Sequence, residues 1–350
     1  MTDMGLNMSS QLTDKFRVGA QVYDRNLGRL GQWHPSLDWA VVDYRFTNWL
    51  GVRAGKVKTT LGLYNDSQDL DFAHVFALLP QAVYPTDIRD STIAHTGADI
   101  YGTVALGHHW GDVLYTVYAG HRSDSIYSGY PYLVSQWGTY LTSYGGLQYG
   151  ADVRWSSPVR GLTVGVSRMN QDISAKGVYP DFLNPAAGIV PYFESSRQDW
   201  TNQLYGRYEM RRFAFNAEYR RSLRDQLILN GSSADVSDAR GWYVSGTFRV
   251  MKKLRIGSYY TRYTVTDFFT GALSAVQPNL LDTSQPSNHM YDKVVTARVD
   301  VNRFWDVKIE GHFIDGYATA GYPVGFYPQQ NPSGFQPDTN AVVLKTGFHF

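Results

Sequence analysis

The sequence predicts an all-β fold, a transmembrane antiparallel β-barrel of about 16 strands, on three observations. Segments of about ten residues place apolar side chains at every second position. The connections between them are alternately tight and long. Finally, no stretch of the 350 residues is apolar enough for a membrane helix, although 15% of them are aromatic. A helical span needs about 20 predominantly apolar residues, and the longest apolar run, around Val75 to Val83, is short and broken by Pro80. A barrel strand escapes that test because lipid-facing and water-facing residues alternate along it, so a strand with one greasy face is polar on average.

The alternation recurs along the chain. Phe16, Val18, Ala20 and Val22 face away from Arg17, Gly19, Gln21 and Tyr23. Leu147, Tyr149, Ala151, Val153 and Trp155 oppose Gln148, Gly150, Asp152 and Arg154, and Phe213, Phe215, Ala217 and Tyr219 oppose Ala214, Asn216, Glu218 and Arg220. Downstream, Trp242, Val244, Gly246 and Phe248 oppose Tyr243, Ser245, Thr247 and Arg249. Val295, Ala297 and Val299 oppose Thr296, Arg298 and Asp300, while Trp305, Val307, Ile309 and Phe313 oppose Asp306, Lys308, Glu310 and His312. In each segment the second face is too polar for a protein core and suits water.

Tight connections rich in turn formers fall at Thr13–Lys15, Thr47–Trp49, His109–Asp112, Ser157–Gly161, Arg211–Arg212, Met251–Lys253 and Asn302–Phe304. Long polar ones fall at Leu27–Pro35, Asn65–Thr96, Asp124–Gly146, Lys176–Trp200, Asn230–Ala239, Phe268–His289 and Thr319–Asn340. Short turns at one end and long loops at the other are the habit of outer-membrane barrels. The pattern gives 15 strands, from Met4–Leu12 to Ala341–Phe350. Because a bacterial barrel has an even number, a sixteenth strand and an export signal are expected ahead of Met1. Residues 1–350 form one barrel domain. Trp39, Trp49, Trp110, Trp155, Tyr208, Trp242, Tyr260 and Trp305 are expected in two interfacial girdles.

A net charge of +1 and scattered Lys and Arg give no field for nucleic acid. Absence of cysteine removes disulfides and thiolate metal sites. His108 and His109 are adjacent and so point to opposite faces of a strand, a poor chelate, and the remaining histidines show no ligand spacing. No metal or cofactor is expected.

The last strand, Ala341-Val-Val-Leu-Lys-Thr-Gly-Phe-His-Phe350, resembles the C-terminal signature by which outer-membrane barrels are recognised for assembly, with Phe348 and Phe350 as its aromatic positions. Leu37-Asp-Trp-Ala-Val-Val-Asp-Tyr44, Val52-Arg-Ala-Gly-Lys-Val-Lys58, Gly62-Leu-Tyr-Asn-Asp-Ser-Gln-Asp69 and Leu79-Pro-Gln-Ala-Val-Tyr84 together resemble the proteobacterial general porins. That resemblance implies a homotrimer in the outer membrane of a Gram-negative bacterium, among outer-membrane lipid and lipopolysaccharide. One long extracellular loop would fold into a pore open to small polar solutes and ions. The family often has Pro after its Arg-Ala-Gly strand; here Thr59-Thr60 stands there.

The loop at 65–96 carries Asp66, Asp69, Asp71, Asp87 and Asp90 against Arg89. Water-facing strand positions carry Arg154, Arg207, Arg220, Arg249, Arg255 and Arg298. Acidic and basic rows across a narrow pore would set up a transverse field favouring dipolar solutes. Asp66, Asp69, Asp71 and these six arginines are therefore the candidate pore-lining and constriction residues. Some of the arginines could instead pair with neighbouring carboxylates and only stabilise the wall. The function expected is passive diffusion. The alternatives are a channel selective for anions or sugars, for which no unbroken basic or aromatic ladder is visible, then a barrel enzyme, whose Ser-His-Asn or Asp-His motifs are missing, and a sheath barrel.

Overall fold

A computed structural model describes the chain except residues 1, 27–29, 108, 128, 137, 182–183, 225, 234, 270–281 and 319–330. Its strands are β1 (Thr2–Gln11), β2 (Phe16–Asn26), β3 (Ser36–Thr47), β4 (Leu50–Lys58), β5 (Ala94–Ala105), β6 (Asp112–Ser123), β7 (Tyr140–Ser156), β8 (Leu162–Pro180), β9 (Ile189–Met210), β10 (Phe213–Arg224), β11 (Gln226–Leu229), β12 (Ser232–Ser233), β13 (Asp235–Met251), β14 (Leu254–Phe269), β15 (His289–Asp300), β16 (Trp305–Asp315) and β17 (Asp338–Phe348). They form one 17-stranded antiparallel sheet, each strand hydrogen-bonded to its neighbour in sequence through the wall. Because β11 continues β10 along β9 and β12 leads into β13, the wall is crossed by 15 runs among the described residues.

Among the described residues the two ends of the sheet are not paired: β1 bonds only to β2 and β17 only to β16. As the first and fifteenth of alternating runs they point the same way, so an antiparallel ladder cannot join them directly. The expected sixteenth strand is not among the described residues.

The alternation sorts the side chains as the sequence predicts. Val166, Leu204, Val244, Val295, Ile309, Val342 and Leu344 project outward and are exposed, whereas Gln148, Gln203, Tyr205, Tyr243, Lys308 and Glu310 project inward and are buried. A protein whose outside is apolar and whose inside is polar belongs in lipid around a polar lumen. One girdle residue departs from this. Trp39 points inward, its indole donating to Gln21 (3.0 Å), because it alternates with the outward Ala40 and Val42 and lies across from the inward Gln21.

All seven tight turns fall between strands as expected. Three of the long connections are shorter than expected: β7, β8 and β9 run to 17, 19 and 22 residues, and β12 and β13 take up most of Asn230–Ala239. At 3.3 Å per residue β9 is about 70 Å long, far more than an apolar band about 25 Å tall requires. The surplus stands outside the band and has its own small core of Leu141, Tyr144, Ile173, Ala175 and Tyr192, against which Tyr130 and Val134 of helix α1 (Gly129–Ser135) pack. Tyr132 of α1 meets Leu30. Much of the expected loops 268–289 and 319–340 lies outside the described residues.

Candidate functional site

The connection between β4 and β5 turns into the lumen instead of standing above it. Its neck is closed by Thr59 N–H donating to Ile93 O (2.9 Å), and by the Asn65 amide, which donates to Thr59 O and Thr92 O (2.8 and 2.9 Å). Burial of Asn65 satisfies two carbonyls that a folded-in loop would otherwise leave without partners.

From the neck the segment makes a circuit of the wall, and charged side chains hold its backbone at each station. Gly62 N–H donates to Ser167 Oγ (3.0 Å) and Gly62 O accepts from Arg154 (3.1 Å). Gly62 has φ +66°, and a Cβ there would lie 2.0 Å from Gln203 Nε2, so glycine is required. Beside it Glu218 accepts from Leu63 N–H (3.0 Å), Tyr84 Oη (2.8 Å), Tyr243 Oη (2.5 Å) and Gln203 Nε2 (2.7 Å). At the far side Glu310 accepts from the N–H groups of Ala77 and Leu78 (2.9 and 3.1 Å) and contacts His312 (3.0 Å), which also meets Asp292 (2.8 Å).

The remaining stations use cations. Arg298 donates to Phe72 O and His74 O (2.8 and 2.7 Å), Lys308 to Asp71 O (2.7 Å), Arg220 to Val83 O (2.7 Å) and Arg25 to Thr86 O (2.9 Å). Lys345 pairs with Asp71 (2.5 Å), and Arg89 of the loop pairs with Asp38 of β3 (2.8 Å). Apolar contacts fill between them: Phe76 packs edge-on to Tyr259, 4.9 Å between ring centres, and Val83 and Tyr84 pack on Tyr243. Gly241 lets the loop touch the wall itself, for a Cβ there would fall 2.0 Å from Ala82 O.

The nine candidate residues thus divide. Arg154, Arg220 and Arg298 hold loop carbonyls, and Arg298 also pairs with Asp300 (2.8 Å). Asp69 is enclosed by Lys58 and Gln21, each at 2.7 Å, and Asp71 lies against Lys345. Although burial alone would raise it, the Lys58 and Arg89 charges and these hydrogen bonds hold the Asp69 carboxyl below its usual range. Asp66 is exposed.

Arg207, Arg249 and Arg255 sit apart, nearer the tight-turn end. They line a cavity of about 380 Å³ roofed by His74, Phe76 and Pro80 of the loop. Arg207 bonds to Glu209 and Arg255 approaches Asp300 at 3.5 Å; Arg249 is exposed and has no carboxylate partner among the described residues. Arg211 and Arg212 line the same cavity. Glu218, Lys308 and Glu310 were legible only as water-facing residues; the signal that could have singled them out is three successive ionisable lumenal positions, Lys308, Glu310 and His312, on one strand.

No protein-family model and no curated protein sequence matches the chain. Solved structures do. The trimer form of OmpT, an outer-membrane protein of Vibrio cholerae, superposes with a TM-score of 0.52 at 11% identity, covering 99% of this chain and 91% of that one. The outer-membrane channel DcaP of Acinetobacter baumannii gives 0.55 at 11% identity over 100% and 85%. Salmonella typhi OmpF gives 0.53 at 12% identity over 99% and 89%. At such identities the likeness establishes the fold.

Proposed function

We propose that this chain, which has the fold of the outer-membrane porins, is a passive channel for small hydrophilic solutes and ions in the outer membrane of a Gram-negative bacterium, with a preference for anions. The reading of an anion preference is carried by the cavity below the loop, where Arg207, Arg249 and Arg255, with Arg211 and Arg212, face a single glutamate, Glu209. At loop height most carboxylates are already engaged, Asp66 being exposed: Asp69, Asp71, Glu218 and Glu310 each bond to a cation or to fixed N–H and O–H donors. The potential a solute meets is then set by the guanidinium groups of this cavity, of which Arg249 has no carboxylate partner among the described residues, and low-dielectric walls strengthen it. The loop is the constriction, and the arginines below it are the selective element.

Two observations support a homotrimer. The outer wall of β2–β4 is smooth, with small outward residues at Ala20, Ala40 and Ala54 beside Val18 and Val42. Moreover, one of the matched structures is a trimer form. A wall of small side chains permits close approach of a second copy over a wide area.

Single-channel conductance and reversal potential of the folded protein in a planar bilayer under a KCl gradient test the proposal. Resolved steps with a reversal potential of anionic sign are expected, and R249E/R255E should move it toward the cationic side. A cationic wild-type potential overturns the anion preference. Silence from protein shown by heat-dependent gel mobility to be folded overturns the channel.

A further inference from the structure

Helix α1 is too short to stand by itself. It has seven residues, and isolated helices below about 12–15 residues are marginal in water, so its contacts decide whether it forms. Tyr130 and Val134, one turn apart on one face, pack into the core of the β7–β9 extension, and Tyr130 stacks on Tyr144 with ring centres 4.6 Å apart. Tyr132, on another face, is buried against Leu30 of the β2–β3 connection. The same connection reaches the chain just before the helix: Gly31 N–H donates to Tyr127 O (2.9 Å), and the His34 ring stacks on Tyr127 at 3.6 Å. The helix is thus a wedge between the extension and the β2–β3 connection.

The wedge also touches the returning leg of the inward loop, Thr86 to Ile93. Ser91 Oγ accepts from Tyr130 N–H (3.1 Å) and donates to Asp124, so one buried hydroxyl joins leg and helix with both of its capacities. Asp124 is fixed in turn by a bidentate pair with Arg122 of β6, 2.9 Å for each bond. Gly129 permits the approach, for a Cβ there would lie 2.8 Å from Asp124 Oδ2 and 2.9 Å from Ser91 Oγ. Two residues before Ser91, Arg89 makes a bidentate pair with Asp38 of β3 (3.0 and 2.8 Å), and Arg25 of β2 holds Thr86 O and meets Asp90 at 3.1 Å. Three segments are therefore linked in pairs: α1 with the β2–β3 connection, α1 with the returning leg, and the leg with β2 and β3. Ser91 leads directly into the neck, where Thr92 O and Ile93 O receive the Asn65 amide and Thr59 N–H.

We propose that α1 is a lid on the inward loop: seated, it holds the returning leg in a narrow position, and lifted, it widens the constriction. A short helix among loops, outside the apolar band, belongs to the part of a structure that opens locally at the lowest free energy. Lifting α1 breaks the Tyr130–Ser91 and Ser91–Asp124 bonds together, because both pass through one hydroxyl. The returning leg then keeps its pairs with Arg25 and Asp38 but loses its restraint from outside. Two conductance levels follow, one for each state of the lid. These levels rest on the reading of the chain as a channel; the coupling of lid to loop does not.

The chain has no cysteine, so L30C/Y132C carries two thiols that a short bis-thiosulfonate can bridge across the lid. In a planar bilayer the bridged protein should switch between levels about tenfold less often than the same protein after reduction. S91A removes a hydrogen bond to a charged carboxylate, equivalent to a factor of about ten or more in an equilibrium, and should move occupancy toward the wide level by that factor. On the full chain folded in detergent, amide hydrogen exchange of residues 86–93 should rise about tenfold in S91A and in G129V, a readout that needs no conduction. Heat-dependent gel mobility checks that each variant is folded. Unchanged exchange in both folded variants, unchanged switching in the bridged protein, a single conductance level in the wild type, or folded L30C/Y132C that does not bridge overturns the lid. Raised exchange in a protein that is silent in the bilayer sustains the lid and overturns the channel instead.

Discussion

At the height of the inward loop Arg220 and Arg298 donate to loop carbonyls, whereas one layer below, Arg207, Arg249 and Arg255 line a cavity and bond to no loop carbonyl among the described residues. The residue type and the strand parity are the same in both groups. What differs is whether a backbone passes within 3 Å. In the upper group positive charge meets carbonyl dipoles and fixes the loop; in the lower group, on the proposed reading, it acts on whatever enters. Residue type and facing direction therefore do not determine whether a lumenal arginine holds the loop or lines the cavity. The path of the loop does.

The comparison breaks most completely if the loop is released, because the upper arginines would then join the lower ones. Glu310→Ala removes the acceptor of two backbone N–H groups in a buried place. Each hydrogen bond to a charged group contributes about 1.5–3 kcal/mol, so the Ala77–Leu78 station should detach while the 15 wall-crossing runs persist. Single-channel recordings should show larger and noisier steps than the wild type. Steps of wild-type size from folded Glu310→Ala protein would mean that Arg298 and Lys308 suffice to hold the loop.

A milder break leaves every charge in place. Gly241→Val puts carbon where Ala82 O now sits, with no room for either backbone to yield separately. Overpacking of this kind costs about 1–3 kcal/mol. The loop should shift off β13 and take Val83 away from Arg220, giving a modest rise in conductance and a more anionic reversal potential as Arg220 is uncovered. A rise in conductance with no change of selectivity would show that Arg220 stays covered.

The wall was legible because alternation is a local property: each of Phe213 to Tyr219 reports its own facing direction, and the tight turns are marked by their own residues. The ends of β8 and β9 were not, since beyond the band the strands are polar on both faces and read as loop. The candidate site was legible only in its ingredients. Arg298 meets a backbone 226 residues away in sequence and Arg249 does not, a relation that periodicity does not encode. The inward position of Trp39 was legible in its alternation with Ala40 and Val42; its aromatic type, which suits a girdle, pointed the other way.

The smallest expected effect is that of acid, and it acts on the same comparison through the loop itself. His74 is buried, with Nε2 2.8 Å from Ser67 O, and burial pushes its imidazole from an ordinary value of 6.5 down to about 4. Asp71, Lys308 and Lys345 are the charged groups around it. In a released loop His74 would return to its ordinary value and bind a proton that the inserted loop excludes. The inserted state is therefore at full strength above about pH 6.5 and weakens as pH falls from 6.5 toward 4. Asp69 acts in the same direction at lower pH. Its carboxyl is held below the usual range, so its contribution is complete above the ordinary carboxylate value and is lost as pH falls further. Channel noise and mean conductance should rise between pH 6.5 and 4.5 in the wild type, and much less in His74→Gln, whose amide can keep a bond to Ser67 O without titrating. An identical acid response in the two proteins would place the sensitive group elsewhere than on the roof of the arginine cavity.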